Sequence, residues 1–145
     1  MKYNFVILIL FFSLSVNAKQ EILGVWKSKD HKSGKDQALI EVYVDHNQVH
    51  ARIIKALDKK LQDFTCTNCT GKNRDKPMEG MVILKDLKKS KVRLKFTEGY
   101  ALNPFNGKFY KCNAELIDKN LLRVRGYIGV SLFGKSEYWY RVKKN

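Results

Sequence analysis

The stretch that decides the fold is residues 38–53, which read ALIEVYVDHNQVHARI. Apolar residues take alternate positions in it, with Ile40 and Val42 before the centre and Val49 after it. Because successive side chains of a β-strand point to opposite faces, this pattern predicts two strands that share one apolar face. The polar residues between them, Asp45-His46-Asn47, predict a hairpin turn.

The same alternation continues along most of the chain. Further alternating segments lie at residues 24–26, 82–84, 92–96, 110–116, 122–125 and 138–142. Short turn sequences such as Asn106-Gly107 link some of them, as in an antiparallel meander. We therefore predict an all-β fold, an antiparallel barrel of about eight strands with little helix. An open sandwich is the alternative.

The N-terminus has the pattern of a secretory signal. Lys2 precedes an apolar stretch at residues 5–14, and Val16-Asn17-Ala18 place small or modest side chains where signal peptidase cleaves. We expect residues 1–18 to be removed, leaving residues 19–145 as a single domain that is periplasmic or secreted. A buried N-terminal helix is the alternative interpretation.

The chain is strongly basic, with a formal net charge of +14. A basic exported protein favours anionic partners such as lipid head groups, whereas a nucleic-acid partner is not expected outside the cell. The alternative is that the lysines only solvate an otherwise apolar β-surface. The sequence does not specify an oligomeric state.

Three connections are longer than hairpin turns: residues 58–79, 97–107 and 129–136. The last, called here the apolar loop, carries Val130, Leu132 and Phe133 between glycines. Either these side chains fold back over one barrel end, or they form an exposed surface that docks an envelope protein or an anionic membrane.

Three cysteines occur in a chain predicted to be exported, where disulfides persist. Cys66 and Cys69 could form a redox pair or two ligands of a zinc site, but neither a helix nor a complete ligand set accompanies them. We therefore expect no metal and predict a disulfide between Cys112 and either Cys66 or Cys69. A bond between Cys66 and Cys69 themselves is the alternative, but it would close a very short loop and so restrict the unfolded chain far less. Such a bond would tether the long segment 58–79, and one thiol would remain free.

No catalytic pattern is present. The sequence has no Ser-His-Asp arrangement, Gly-rich phosphate loop or closely spaced histidine pair on a helix. We therefore expect no enzymatic activity, no catalytic residue and no cofactor.

Two residues at opposite ends of the chain predict how the barrel closes. The first and last strands of a closed barrel are neighbours, so Trp26 on the first can stack with Arg141 on the last. Gly24 would allow the close approach of the chain as it enters the barrel. The predicted role of all three is structural.

Gly24-Val25-Trp26 together with Arg141 resembles the signature of the lipocalin-like (calycin) superfamily. More widely, the chain resembles an exported bacterial family known as domain of unknown function 2147. The residues that carry this second resemblance are Gly24-Val25-Trp26 and segments 76–84, 103–112, 122–134 and 139–141. The resemblance implies a small lipocalin-like barrel outside the cytoplasm, and it brings no established activity.

The function predicted from these features is the non-enzymatic binding of a small amphipathic or anionic ligand, such as a lipid, in the barrel. Four aromatic residues and two arginines are predicted to frame the opening: Tyr100, Phe105, Tyr127, Phe133, Arg123 and Arg125. The alternative function is an interaction or scaffold protein that docks through the apolar loop.

Overall fold

The computed structural model describes residues 18–143. The predicted signal segment, residues 1–18, lies outside them except for Ala18. The elements are α1 (Ala18–Ile22), β1 (Gly24–Lys29), β2 (Asp36–Asp45), β3 (Gln48–Ala56), α2 (Lys59–Gln62), a 3₁₀ turn (Gly71–Asn73), β4 (Val82–Lys89), β5 (Lys95–Asn103), β6 (Lys108–Asp118), β7 (Leu121–Tyr127) and β8 (Gly134–Arg141). Neither described helix is long and apolar enough to cross a membrane.

The eight strands form a closed antiparallel barrel in sequence order. β8 returns to pair with β1, and this pairing sets Ser28 opposite Trp139 and Trp26 opposite Arg141. The barrel prediction is confirmed, and the sandwich alternative is excluded because no strand edge is left open between β1 and β8.

The hairpin of β2 and β3 follows from the sequence that predicted it. Ala38, Ile40 and Val42 are buried along β2. His46 and Asn47 form the turn with φ angles of 44° and 64°. Positive φ at both central residues matches the right-handed twist of the flanking strands, and asparagine tolerates it well.

Bulges interrupt the alternation in two neighbouring strands. In β4, Asp86 has a φ of 63° and lies between the buried residues Leu84 and Leu87. In β5, Glu98 has a φ of 60°, and the register shifts between Phe96 and Gly99. Each bulge adds one residue, so the side chains beyond it point to the opposite face from the one that simple alternation predicts.

Part of a segment that was predicted to be a loop belongs to a strand. Residues 97–107 were expected to form a long connection, but β5 continues to Asn103 and only a short turn precedes β6. The bulge at Glu98 hides this strand from a search for strict alternation.

The barrel has two unlike ends. At the closed end lie α1 and the turns at 46–47, 90–94 and 119–120. At the open end lie the connections 30–35, 57–81, 104–107 and 128–133. Trp26, Phe96 and Leu122 are fully buried in the half near the closed end.

Candidate functional site

Arg141 seals the closed end. Its guanidinium carbon lies 4.1 Å from the centre of the Trp26 ring, the stacking that the sequence predicts. The guanidinium also donates hydrogen bonds to the carbonyl oxygens of Glu21, Leu23 and Lys119. Partial burial lowers the pKa of Arg141 because desolvation disfavours the charged form.

Trp26 lies inside the barrel beneath Arg141, and the two side chains together form the plug of the closed end. The indole Nε1 of Trp26 donates a hydrogen bond of 3.0 Å to the carbonyl oxygen of Ile22, so its polar atom is satisfied although the side chain is fully buried. Gly24 joins α1 to β1 with a φ of 121°, in the region that favours glycine. The closed end is therefore filled by the chain itself, and it leaves no room for a ligand.

The other half of the barrel is hollow. A cavity of about 720 Å³ opens between the loops of the open end, within the size range of small-molecule sites. Its apolar walls are formed by Ala38, Ile40, Ile53, Leu61, Met78, Ile83, Leu84, Ala101, Val124 and Trp139. The site has the volume and the lining that a small amphipathic molecule requires.

Small residues explain why this half is hollow. Ser28, Ala38 and Gly126 line the cavity from β1, β2 and β7. A Cβ added to Gly126 would meet only the Tyr110 Cβ, 3.9 Å away, so a larger side chain at this position has space to enter the cavity. No motif marks these residues in the sequence. Their signal is the small size of the side chains at strand positions near the open end.

Polar side chains interrupt the apolar lining of the cavity, among them Gln37, Asn103, Asn106 and Tyr110. Ser28 lies on the cavity wall together with Trp139, whose Nε1 is buried and finds no hydrogen-bond partner among the described residues. Lys135 and Glu137, on the first residues of β8, are the charged side chains of the lining within the part of the chain described. No sequence motif pointed to a ligand-binding role for any of these residues.

Three of the six residues predicted to frame the opening line the cavity: Phe105, Tyr127 and Phe133. Phe105 packs edge-to-face on Phe64 with ring centres 4.9 Å apart. Phe105 and Phe133 nevertheless expose more than half of their surfaces at the rim. Their contact with a ligand stays a prediction.

Tyr100 does not reach the cavity, which corrects the prediction for this residue. It lies next to the inward-facing Gly99 and points out of the barrel, where its ring is 5.8 Å from the Lys85 ammonium group. The physical reason is the bulge at Glu98, which reverses the face of every later residue in β5.

Arg123 also points away from the cavity, and its predicted place at the opening is corrected. It alternates with the buried Leu122 and Val124 and forms an ion pair with Glu115 on the outer wall.

Arg125 holds the apolar loop and does not line the cavity, so its predicted role is corrected as well. Its guanidinium donates to the carbonyl oxygens of Ser131 and Leu132 at 2.7 and 3.1 Å, and to the Ser136 hydroxyl at 3.0 Å. These bonds fix the loop beside the opening.

The predicted disulfide is wrong. Cys66 is bonded to Cys69, and Cys112 is free. The pair packs in a small cluster at the open end, separate from the main core that contains Cys112. Hydrogen bonds tether the segment instead, for example from the Asn68 side-chain amide to the Phe105 carbonyl oxygen at 2.8 Å.

Cys112 is an inert core residue. It is fully buried on β6, and this burial raises the pKa of its thiol to about 12. A thiol held in its neutral form is a poor nucleophile and a poor metal ligand. Within residues 18–143, no group of three His, Cys, Asp or Glu side chains comes together as a metal site would need.

Comparisons with known proteins agree with this architecture. The solved structure of protein HP1028 from the human pathogen Helicobacter pylori, which is described as belonging to the lipocalin family, matches this chain with a TM-score of 0.71. The match covers 83% of this chain and 82% of that chain at 20% sequence identity, so it shows the fold alone. A search of curated proteins finds no significant match.

The profile of one family, described as "Uncharacterized protein conserved in bacteria (DUF2147)", matches residues 24–141. This range runs from Gly24 at the start of β1 to Arg141 at the end of β8, and so includes every strand of the barrel. The chain therefore belongs to the bacterial family of domain of unknown function 2147, built on a lipocalin-like barrel.

Proposed function

We propose that this protein is a non-enzymatic binding protein of the bacterial envelope that holds a small amphipathic molecule inside its barrel. The observation that carries the proposal is the cavity of about 720 Å³, which is largely apolar and open at one end. Burial of apolar ligand surface supplies the affinity, and the polar groups of the lining orient the ligand.

The N-terminal sequence pattern supports a role outside the cytoplasm. The pattern at residues 1–18 is that of a cleaved signal, and the family match begins after it, at Gly24. Glu21 and Leu23, whose carbonyl oxygens bind Arg141, lie after the proposed cleavage position. Cleavage after Ala18 would therefore leave the closed end of the barrel intact.

Binding can be tested by filling the cavity. Gly126→Leu places a side chain in the open half, where Gly126 has space and no positive φ. The probe is N-phenyl-1-naphthylamine, a neutral amphipathic dye that fluoresces in apolar surroundings. We expect saturable binding to the native protein and loss of binding in Gly126→Leu.

The matched control is Lys111→Leu, which places a leucine at an exposed position on the outer face of the neighbouring strand β6. It should bind the dye like the native protein. Equal dye binding by Gly126→Leu and the native protein, or no binding by either, would overturn the proposal.

A second candidate function rests on the apolar loop, which could dock an anionic membrane surface. Val130, Leu132 and Phe133 expose 58%, 79% and 69% of their surfaces at the open end. The loop is preformed, because Phe133 donates a backbone hydrogen bond to Val130 and Arg125 holds Ser131 and Leu132. A rigid apolar tip on a protein of formal net charge +14 suits an anionic bilayer.

Co-sedimentation with phosphatidylglycerol vesicles tests this candidate. The double variant Leu132→Ser/Phe133→Ser should lose vesicle binding and keep its melting temperature. Val92→Ser/Ile117→Ser, which removes exposed apolar side chains from the opposite end, should keep both. If the loop variant instead melts several degrees earlier, the two side chains cap the core and the docking function is wrong.

A further inference from the structure

Two side chains of opposite charge line the cavity from β8. Lys135 and Glu137 both belong to the lining, and both are exposed to solvent, so a ligand in the cavity can reach them. Glu137 lies opposite Val124, and Lys135 lies opposite Gly126, nearer the opening. Directly opposite residues of antiparallel strands share one face, and Val124 and Gly126 also line the cavity. The two charges therefore lie on the inner face of the open half.

Glu137 is the exception among the glutamates of the chain. The other five side chains each have a partner in the described structure: Glu21 with Arg93, Glu41 with Arg52, Glu98 with Lys88, Glu115 with Arg123, and Glu79 with the backbone amide of Ala56. No described residue forms an ion pair or a hydrogen bond with the Glu137 side chain. Its carboxylate is therefore open to a cationic group of a ligand.

Other polar side chains of the lining already have partners within the protein. The Gln37 amide donates to the Asp30 carboxylate at 3.4 Å, and the Asn106 amide donates to the Tyr110 hydroxyl at 2.8 Å. The Lys135 ammonium group, like the Glu137 carboxylate, has no partner among the described residues, and no ion pair joins these two groups to each other.

The spacing of Lys135 and Glu137 limits which ligand can pair with both. They are two positions apart on one face of β8, so their Cα atoms are about 7 Å apart. Both side chains are flexible, so opposite charges that lie close together in a ligand can contact both. A ligand with a single charge would pair with one residue and lie beside the like charge of the other, which is unfavourable.

The inner end of the cavity suits the apolar part of such a ligand. Ile40 lines the cavity and is the cross-strand partner of Trp26, the inner residue of the plug. Ile53, opposite Ile40 on β3, lines the cavity as well. Apolar surface therefore lies towards the closed end, and the two charges lie towards the opening.

We propose that the ligand is a zwitterionic amphiphile, whose ammonium group pairs with Glu137 and whose anionic group pairs with Lys135. Its apolar body occupies the inner end of the cavity, next to Ile40. This inference rests on the proposed function and adds the position and the charges of the ligand's head group. It differs from the anionic ligand predicted from Arg123 and Arg125, neither of which lines the cavity.

The test compares three probes of eight carbon atoms each. Octanoate carries an anionic group, octylamine a cationic group, and 2-aminooctanoate both. The affinity of each probe at neutral pH is measured by displacement of N-phenyl-1-naphthylamine, which is itself uncharged. In the native protein 2-aminooctanoate should bind most tightly, because it alone pairs with both residues.

Two variants assign each charge of the probe to its residue. Glu137→Gln should weaken octylamine and 2-aminooctanoate about tenfold, because a hydrogen bond between charged groups is lost, and it should not weaken octanoate. Lys135→Gln should weaken octanoate and 2-aminooctanoate about threefold, since solvent screens a pair near the opening, and it should not weaken octylamine. Because each probe is compared with itself, the cost of its desolvation cancels.

The matched control is Glu98→Gln, which removes the same charge from the outer surface, where Glu98 pairs with Lys88. It should leave the affinities of all three probes unchanged, and this result excludes an effect of net charge alone. Glu137→Gln should keep the native melting temperature, because Glu137 has no partner within the described structure.

The outcomes separate this inference from the proposed function. If the dye binds but 2-aminooctanoate binds no more tightly than octanoate or octylamine, the zwitterionic head group is wrong and the binding function stands. The same conclusion follows if Glu137→Gln and Glu98→Gln have equal effects on 2-aminooctanoate. If neither the dye nor any probe binds, the binding function fails and this inference fails with it.

Discussion

The two halves of the barrel share the same strands but not the same use of them. Near the closed end, inward positions carry large side chains such as Trp26 and Phe96, and the chain fills its own interior. Near the open end, inward positions include Ser28, Ala38 and Gly126, and a cavity remains. Side-chain size at inward positions, and not the strand pattern, therefore decides where a ligand can enter.

The largest expected effect on stability follows from removing the Trp26 side chain at the closed end. Trp26→Ala should lower the free energy of unfolding by about 3–5 kcal/mol, because the side chain is fully buried and leaves a void. Phe133→Ala, a comparable truncation at the open end, should change it by less than about 0.5 kcal/mol. Urea denaturation measures both. Similar losses for the two variants would contradict the division into a packed half and a hollow half.

A smaller effect is expected for the cation at the closed end. Arg141→Met keeps an unbranched apolar stem but leaves three carbonyl oxygens without their donor, and should cost about 2 kcal/mol. Arg123→Met removes only the partly exposed ion pair with Glu115 and should cost less than about 1 kcal/mol. Equal melting temperatures of the two variants would show that Arg141 is an ordinary surface charge.

The sequence predicted the packed half better than the hollow one. Large alternating residues and the pair Trp26 and Arg141 carry a local signal, and the barrel follows from them. The outward position of Arg123 could also have been predicted, because Arg123 alternates with Leu122 and Val124, which are buried. The prediction that Arg123 contacts a ligand relied on its charge and ignored this alternation.

The alternation of apolar and polar residues did not reveal two other features, the bulge in β5 and the cysteine pairing. The bulge at Glu98 reverses the face of Tyr100, and no residue type in that segment announces it. The disulfide prediction favoured the bond that would close the longest loop, because such a bond restricts the unfolded chain most. This effect stabilises the protein only if the two cysteines lie close together in the folded chain. Cys112 faces the core, whereas Cys66 and Cys69 lie in a separate cluster, so the required approach does not occur.

The pH dependence of stability tests the burial of Cys112. The Cys112 thiol has a pKa of about 12 when folded, against an ordinary value of 9.0, so the unfolded state loses this proton first. Stability should therefore fall as pH rises from 9 towards 12, by at most about 1.4 kcal/mol per pH unit from this group. Cys112→Ala should lack this component. Identical pH slopes would mean that the thiol is accessible to solvent.

The most direct test of the central claim is native mass spectrometry of the protein purified from the bacterium that produces it. The account predicts that the native chain carries a small-molecule adduct and that Gly126→Leu, with its cavity filled, is isolated without it. Adduct-free spectra for both proteins, or the same adduct on both, would contradict the claim that the open half of the barrel is a binding site.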